Sequence, residues 1–583
     1  MTPSRGDWCV LKLSAFSKLA MLLRADTTIH LSRRLVVLLW LMASSAIAQP
    51  NIVLIVAEDM SPRVGAFGDA VAQTPNIDAL AEQGVRYTQV FSASGVCAPN
   101  RSALITGVYP QALGTQHMRT VNRDYEAVPP ADVKAFPELL RQAGYATGNT
   151  AKTDYQFGEP FTVWDINHGN FALPPDLALW RQLPQDKPFF AMINLMSTHE
   201  SRLATLETQG QGAFGPVIAG LALARAALVS QVTDPADVSV PDYYPDVPRV
   251  RESIAQHYDN IHYMDAQVGE IMANLQADDL LDATVVIWIT DHGDGLPRAK
   301  RSVYDSGLQI PMVIRSPENS EAGGIDARLI SIVDLAPSIL QLAGVPVPDF
   351  MQGQGMLGSE TPRDYVFAGR DRMDQVPDRV RAVRDHRFKY IRNYRSELPY
   401  FRPLAFRDMF PVMQALWAGN EAGSLSAPQR SYFVSPRPLE ELYDTGQDPQ
   451  ELVNLAGQPG YARTLVRMRD AMDDWLARVG DKGAVDESEM IESMWPGGQQ
   501  PVTDRPKIVL LNRQLVITSE TPGASIAYRT KSRGPAAIFS ESGSWQIYTN
   551  AIHWPRENPA DQIEAKAIRY GYAESAVTSF PPN

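Results

Sequence analysis

Cysteine is nearly absent from this sequence: its 583 residues contain two, Cys9 and Cys97. Cys9 lies in an N-terminal segment that we expect to be removed, so the mature chain keeps one cysteine. A single cysteine forms no internal disulfide, and the framework must therefore be held by hydrophobic cores. Cys97 is either a buried apolar residue or a chemically active one.

The sequence also lacks a hydrophobic run of about 20 residues, the length that a membrane span needs. The apolar stretch 35–48 is shorter than this, follows Arg33 and Arg34, and ends in the small residues 46–48. This pattern is typical of a signal peptide. We expect residues 1–48 to form a leader cleaved after Ala48, with translation starting at Met1 or downstream, for instance at Met21. The mature protein is then periplasmic or secreted, without a membrane span.

Positive charge is in deficit. The net charge is −13, and the leader carries six basic and two acidic residues, which leaves the mature chain four charges more negative, at −17. Such an acidic body argues against a general binder of nucleic acid or anionic membranes. It does not exclude anionic substrates, because a local basic pocket can override the net field.

What is present suffices for a large folded protein. The length allows two or three domains at roughly 150 residues each, and a content of 44% hydrophobic and 20% charged residues is that of a soluble globular chain.

The most specific motif is CAPNRSALITG, residues 97–107, in which Cys97, Pro99 and Arg101 have the spacing C-x-P-x-R. Proline is favoured at the start of a helix, so Cys97 should lie at or just before a helix N-terminus. There, unpaired N–H groups and the helix dipole favour an anion, and Arg101 adds a positive charge. Taken alone, the motif also fits a structural cysteine before an ordinary helix.

Two other apolar segments predict buried parallel strands that run into acidic residues. Segment 51–56 leads to Glu58 and Asp59, and segment 284–290 leads to Asp291 and His292. Open α/β sheets bind ligands at the carboxyl ends of their strands, so these are four candidate metal ligands. Their oxygens suit calcium before magnesium or manganese, whereas the histidine nitrogen also suits zinc. The alternative for the first pair is a helix cap.

A third apolar segment, 187–197, ends just before His199, which is either a structural group or part of a site at the same edge. His257 and His262 lie in a strongly amphipathic helical segment, and we interpret both as structural.

These residues resemble the signature of the type I sulfatases, in the alkaline phosphatase superfamily, and the resemblance extends from Asn51 to about Leu455. It implies an α/β fold: an alkaline-phosphatase-like sandwich with a central, mostly parallel sheet and a smaller antiparallel C-terminal subdomain. It also implies that a formylglycine-generating enzyme oxidises Cys97 to formylglycine, whose hydrated form is the nucleophile.

The same resemblance supplies the expected site. It implies that one divalent cation, Ca²⁺, is bound by Glu58, Asp59, Asp291, His292 and the modified Cys97. The catalytic group is then Cys97, Arg101, Lys152, His199 and Lys300. In it the cationic side chains hold the sulfate oxygens and His199 protonates the leaving oxygen. Lys300 is chosen over its neighbours Arg298 and Arg301.

The sequence departs from the family pattern at several positions. Asn100 replaces a more common serine, Glu58 a more common aspartate, and Asp154 a histidine that His117 is the candidate to replace. His117 and Arg119, on a predicted loop, are either surface residues or substrate contacts. Arg370 and Arg372 are either solvated or reach the substrate.

The predicted organisation is a leader (1–48), a catalytic domain (49–380), a C-terminal subdomain (381–495) and, after a Pro- and Gly-rich linker, an appended small β-sandwich-like domain (506–583). The predicted function is that of an exported sulfatase acting on sulfate esters or sulfamates of a sulfated carbohydrate. Two alternatives remain: a phosphodiesterase or phosphonate monoester hydrolase of the same superfamily, and a catalytically silent protein that binds sulfated glycans.

Overall fold

The computed structural model describes residues 49–169, 174–205, 208, 214–317, 321–356, 361–532, 544–554 and 561–581. The predicted leader and Cys9 lie outside the described residues.

The central sheet follows from the apolar runs of the sequence. Its strand order is β4-β3-β5-β1-β6-β7-β2-β8, and β9 also pairs with β2. Strand β7 is antiparallel to both of its neighbours, and the other pairings are parallel. The strands are β1 (Asn51–Ala57), β2 (Val85–Phe91), β3 (Ala146–Thr150), β4 (Ile166–Asn167), β5 (Phe189–Leu195), β6 (Thr284–Thr290), β7 (Gln309–Arg315), β8 (Gly324–Asp326) and β9 (Ile330–Ser331).

Helices cover both faces of this sheet, because β1, β5 and β6 are almost wholly apolar and must be buried on both sides. The longest is α6, whose residues Ile254, Ile261, Met264 and Val268 join the core on one face. The helices are α1 (Pro75–Gln83), α2 (Cys97–Thr106), α3 (Pro110–Leu113), α4 (Phe136–Gln142), α5 (Phe214–Leu228), α6 (Pro248–Ala277), α7 (Asp305–Leu308), α8 (Leu335–Leu342), α9 (Pro411–Ala422), α10 (Ala427–Arg430), α11 (Ala462–Val479) and α12 (Glu487–Met494).

A second sheet of four antiparallel strands lies beside the first: β10 (Val366–Arg370), β11 (Val380–Arg384), β12 (Phe388–Asn393) and β13 (Glu440–Asp444). Helix α11 packs against it through Trp475, whose ring stacks on Phe367 at a centroid distance of 4.9 Å. This sheet begins at Val366, ahead of the domain boundary expected at 380, and the boundaries themselves stay predictions.

The C-terminal segment forms two small antiparallel sheets that share the buried residues Leu515, Ile517, Ile563 and Ala565. One sheet contains β14 (Lys507–Leu511), β15 (Gln514–Thr518) and β18 (Ile552–His553). The other contains β16 (Ser525–Ser532), β17 (Gln546–Ile547), β19 (Asp561–Ile568) and β20 (Thr578–Phe580). The α/β class with a mostly parallel central sheet and smaller antiparallel sheets is thereby confirmed.

Among the described residues, every helix is too short or too polar to cross a lipid bilayer.

Candidate active site

The site lies where strands of the central sheet end together. In the strand register, the last residue of β1, Ala57, is level with Leu195 of β5 and Thr290 of β6. The residues that follow these strands therefore emerge at one edge, as expected for an open α/β sheet. Glu58 and Asp59 follow β1, His199 follows β5, and Asp291 and His292 follow β6.

Cys97 is the first residue of α2, and all ten residues of that helix are buried. Its Sγ lies 3.3 Å from Nε2 of His292, 3.8 Å from Oδ1 of Asp59 and 3.9 Å from Oε2 of Glu58. The N-terminus of a helix favours negative charge, so the cysteine occupies a position suited to an anionic nucleophile or ligand.

The carboxylate of Asp291 is held by two backbone N–H groups. Oδ1 of Asp291 accepts hydrogen bonds from the backbone N–H groups of Asp59 and His292, each 3.0 Å long. Oδ2 of Asp291 is buried and accepts no hydrogen bond from the described residues, although Nε of Arg101 lies 3.6 Å from it. Burial and the nearby charge of Glu58 raise the pKa of Asp291. An orphaned, buried carboxylate oxygen at this place fits a ligand of a metal ion.

His292 completes this group. Its Nε2 lies 3.2 Å from Oδ1 of Asp59 and 3.7 Å from Oδ2 of Asp291, and its Nδ1 lies 2.9 Å from the carbonyl oxygen of Gly293. Burial lowers the pKa of His292, but the negative charges of Asp291, Cys97 and Asp59 outweigh burial and raise it to about 9. The ring is therefore protonated at neutral pH, and its positive charge partly neutralises these carboxylates.

The potential metal ligands form two overlapping groups. In each, one ligand atom per residue lies within 4.8 Å of the others: Asp59, Cys97, Asp291 and His292 form one group, and Glu58, Asp59, Cys97 and His199 the other. Together the two groups hold three carboxylates, two imidazoles and the thiol of Cys97, a set that fits a divalent cation with mostly oxygen ligands. The donor chemistry and the Oδ2 of Asp291 that lacks a hydrogen bond thus both fit the divalent cation expected from the sequence.

Three cationic side chains surround the carboxylates. Arg101 donates to Glu58 and, over 2.9 Å, to Oδ1 of Asn194, while Lys152 donates to the other carboxylate oxygen of Glu58. Nζ of Lys300 lies 2.5 Å from Oδ2 of Asp59. Burial raises the pKa of Glu58, but the charges of Arg101 and Lys152 outweigh burial and hold it well below its usual range. The site is therefore a buried, strongly charged cluster in which each of the three cations contacts a carboxylate that also contacts Cys97.

His199 lies beside Lys300, with 3.5 Å between its Nε2 and Nζ of the lysine. Burial and the charge of Lys300 lower the pKa of His199 to about 3, so the ring is neutral. Nδ1 of His199 lies 2.9 Å from Oγ of Ser201 and also accepts from the backbone N–H of Ser201 over 3.3 Å. Because the ammonium of Lys300 can only donate, Nε2 faces it as an acceptor.

Arg119 and His117, the candidate substrate contacts of the predicted loop, lie in different surroundings. Arg119 lies near this cluster: its guanidinium is 3.9 Å from Asp154 and 4.0 Å from Asp374. The charge of Asp154 outweighs burial and raises the pKa of Arg119. His117 is buried, and its Nδ1 accepts from the backbone N–H of Arg372 over 3.3 Å. Burial lowers the pKa of His117.

Arg370 and Arg372 are held by other protein groups. Arg370 lies 3.6 Å from Asp378 and stacks over the ring of Tyr400. Arg372 makes a two-point ion pair with Glu487, at 2.6 and 2.7 Å, and also donates to the carbonyl oxygen of Met118. Both are buried rather than solvated. Their substrate contacts stay predictions.

Sequence reasoning gave no role in the site to two buried groups that the structure places there. Glu200 makes a two-point ion pair with Arg301, at 2.7 and 2.8 Å, and also lies 3.2 Å from Nζ of Lys300. Asn100 accepts from the backbone N–H of Ala93 and donates to the carbonyl oxygen of Asp291, tying the start of α2 to the end of β6. In the sequence, Glu200 follows His199 and Arg301 follows Lys300. This adjacency to two candidate site residues was the signal that could have identified the pair.

Comparisons with known proteins agree on one family. The sulfatase family model matches residues 50–345, and the model of the C-terminal region of N-sulphoglucosamine sulphohydrolase matches residues 298–400. An ulvan-active sulfatase of Formosa agariphila is 39% identical over 552 residues, covering 90% of each chain. Human N-sulphoglucosamine sulphohydrolase is 27% identical, covering 73% of this chain and 89% of that protein.

Solved structures show the same fold. A 2-O GAG sulfatase superposes with a TM-score of 0.54 at 21% identity, covering 74% of this chain and 93% of its own. A protein in complex with its substrate D-glucosamine-2-N,6-O-disulfate gives a TM-score of 0.53 at 18% identity, covering 74% and 99%.

Proposed function

Since this chain belongs to the sulfatase family and is a sulfuric ester hydrolase, we propose that it releases sulfate from a sulfated glycan, using a formylglycine formed from Cys97 and a bound Ca²⁺. The observation that carries this proposal is the convergence of Cys97 with three carboxylates and three cationic side chains at one edge of the sheet. The glycan is proposed because the relatives named above act on ulvan or on sulfated amino sugars.

The roles of the residues follow from their positions. Asp59, Asp291, His292 and Glu58 would hold the cation beside residue 97. Hydrated formylglycine supplies an oxygen nucleophile, and a divalent cation lowers the pKa of its hydroxyl group.

Arg101, Lys152 and Lys300 bind the sulfate oxygens and stabilise the negative charge that grows in the transition state. Each of them is already paired with Glu58 or Asp59, so their positive charges are oriented before the substrate arrives. Their burial excludes water, which strengthens these electrostatic contacts.

His199 serves the leaving oxygen. In the free enzyme the ring is neutral and its Nε2 faces the ammonium of Lys300. A bound sulfate offsets the charge of Lys300, which raises the pKa of His199 toward protonation. The ring is thus proposed to deliver a proton to the sugar oxygen as the S–O bond breaks.

We further propose that the protein acts in the periplasm or outside the cell. This proposal depends on the signal-peptide pattern of residues 1–48 and is tested by the N-terminus of protein isolated from the native host, which should begin at Gln49.

The function is tested with protein produced together with a formylglycine-generating enzyme. Mass spectrometry of the peptide containing residue 97 should show an aldehyde in place of the thiol. The protein should then hydrolyse an aryl sulfate and release sulfate from a sulfated glycan, and the Cys97→Ala variant should do neither. An aryl phosphate hydrolysed faster than the matched aryl sulfate would contradict the proposal in favour of a phosphoesterase. A thiol retained at Cys97 would favour a silent glycan-binding protein.

A further inference from the structure

Two neighbouring cavities extend away from the active site. The larger, of about 510 Å³, is lined by Arg119, Asp154, Tyr125 and Trp495 among others. The smaller, of about 210 Å³, is lined by Phe161, Gln500, Tyr572 and Glu574 among others. Glu126, Gly158 and Glu159 line both, so the cavities share a wall and form one groove. We call it the Glu126 groove.

The inner end of the Glu126 groove adjoins the catalytic cluster. Asp154, in its lining, lies 4.0 Å from Nζ of Lys152, and Arg119 lies 3.9 Å from Asp154. Lys152 in turn contacts Glu58 at the centre of the site. A sugar whose sulfate reaches these cations therefore has the rest of its chain at the mouth of this groove.

The outer end is built by the C-terminal sheets. Ile568, the last residue of β19, and residues 571–574 form one of its walls. The segment that contains them is fixed to the catalytic part: Tyr570 donates to Glu138 over 2.8 Å and stacks on Phe157 at 5.1 Å, and the backbone N–H of Gly571 donates to the carbonyl oxygen of Phe157. A Cβ at Gly571 would clash with the carbonyl oxygen of Ala127, so the two parts are in close contact.

The backbone of the inner lining is unusual. Arg119, Asp124, Asp154 and Gln156 all have left-handed conformations, with φ between 56° and 65°. Non-glycine residues with such φ values cost free energy and cluster at ligand sites, where the strain sets side-chain directions. These conformations fix the directions of the side chains that line the cavity.

The chemistry of the lining selects its ligand. Five carboxylates line the groove against one lining cation, Arg119; they belong to Asp124, Glu126, Asp154, Glu159 and Glu574. Asp154 lies 4.0 Å from Lys152 and Glu574 pairs with Lys566, which leaves the lining net acidic. Carboxylates accept strong hydrogen bonds from hydroxyl groups but repel sulfates and uronates. The rings of Trp495 and Tyr572 offer apolar faces for sugar rings, while one face of Phe161 is covered by Nζ of Lys566, 3.8 Å from the ring centre.

We propose that the Glu126 groove is an extended subsite for uncharged sugars attached to the sulfated one, and that the C-terminal β-sheets form its far wall. The inference rests on the proposed glycan substrate. It makes the enzyme selective for oligosaccharides or polysaccharides whose residues next to the scissile sulfate are neutral, and it gives the C-terminal sheets a part in substrate binding.

The test compares kcat/KM for two sets of substrates of equal length. Each contains one sulfated sugar extended by one to four further sugars, which are neutral in one set and uronic acids in the other. We expect kcat/KM to rise with length in the neutral set alone. In Tyr572→Ala, the ratio of kcat/KM between the longest and shortest neutral substrates should fall by about tenfold, through KM.

Two control variants separate this role from folding. Tyr572→Phe keeps the ring and should keep the ratio. Glu520→Gln changes an exposed carboxylate of the same sheets, outside the groove, and should also keep it. Glu126→Gln removes a charge from the shared wall and should narrow the preference for neutral over uronic substrates.

Direct binding separates this inference from the proposed function. Calorimetric titration with an unsulfated neutral oligosaccharide should show binding to the wild type that is weakened in Tyr572→Ala. If the oligosaccharide binds in this way but no glycan is desulfated, the proposed function is wrong and the proposal of a sugar-binding groove is supported. If glycans are desulfated while the wild type prefers uronic neighbours, or Tyr572→Ala keeps the length dependence, the groove proposal is overturned.

Discussion

At the scale of single residues, the site combines groups whose protonation is set by their neighbours. His199 and His292 lie at the same edge of the sheet, yet their pKa values shift in opposite directions. For His199, burial and the charge of Lys300 act together and keep the ring neutral. For His292, the charges of Asp291, Cys97 and Asp59 overcome burial and keep the ring protonated, so a metal ion that binds its Nε2 must displace a proton.

His199→Ala should lower kcat according to the leaving group. A sugar oxygen needs a proton as it departs, so kcat for a sugar sulfate should fall by about 10²–10⁴. A nitrophenolate leaves without one, so kcat for 4-nitrophenyl sulfate should fall far less. His262→Ala, which removes a histidine of α6 bonded to the carbonyl oxygen of Gln73, is the control and should change neither rate. Equal losses on both substrates would contradict the role in proton donation.

At the scale of elements, short polar links join helices to strand ends. Asn100 connects α2 to Ala93 and to Asp291, both buried. Arg381 of β11 connects to Asp371 and to Asp481, just after α11. Hydrophobic contacts are non-directional, so the directional hydrogen bonds of these links help to set the relative positions of the elements.

Asn100→Ala should destabilise the protein. The change leaves a backbone N–H and a carbonyl oxygen buried without partners, which costs about 1–3 kcal/mol. Urea unfolding measures this free energy. Asn420→Ala, at an exposed position of α9, should cost no more than about 0.5 kcal/mol. A loss for Asn100→Ala as small as that of the control would show that other groups or water replace its hydrogen bonds.

Asp481→Asn should destabilise the protein in a pH-dependent way. Burial raises the pKa of Asp481, but Arg381 and Arg379 outweigh burial and lower it. The carboxylate therefore stabilises the fold above its unfolded pKa of about 3.9, and this contribution is lost as the pH falls below that value.

The variant should lose about 1–3 kcal/mol at pH 7, since hydrogen bonds to a charged group are removed. The difference from the wild type, measured by urea unfolding, should shrink as the pH is lowered toward 3. Asp473→Asn, in an exposed pair with Arg392, should change stability by about 0.5 kcal/mol or less at any pH. A constant difference across pH would assign the loss to packing instead of charge.

At the scale of the whole molecule, the central sheet, the second sheet and the C-terminal sheets belong to one compact unit, 50–583. The active site lies at its strand ends, and bound metal should therefore stabilise the whole fold.

Removal of metal by a chelator should abolish sulfate release and lower Tm, and Ca²⁺ should restore both. A cation at about 100 times its Kd adds about 2.7 kcal/mol to the free energy of unfolding. Because His292 is protonated below about pH 9, metal uptake releases a proton, and the affinity should weaken as the pH falls. Calorimetry with and without chelator measures the shift. In Asp291→Asn the Tm should not respond to Ca²⁺, and a wild-type Tm that ignores the cation would contradict the site.

The sequence by itself determined the edge at which the site lies, and its resemblance to the sulfatases implied the fold class. Buried parallel strands must be apolar along their length, so a polar residue after such a run marks the strand end, and parallel strand ends meet at one edge. That local rule located Glu58, Asp59, His199, Asp291 and His292. The helix-start motif located Cys97 and Arg101.

Only the tertiary structure decided where neighbouring residues of the same charge point. Arg298, Lys300 and Arg301 lie in one short loop in which both arginines have left-handed conformations. The first stacks on tyrosine rings, the second meets Asp59 and the third pairs with Glu200. Likewise, the Glu126 groove joins residues 119–159 to residues 568–574, and such a juxtaposition depends on long-range packing that no local pattern encodes.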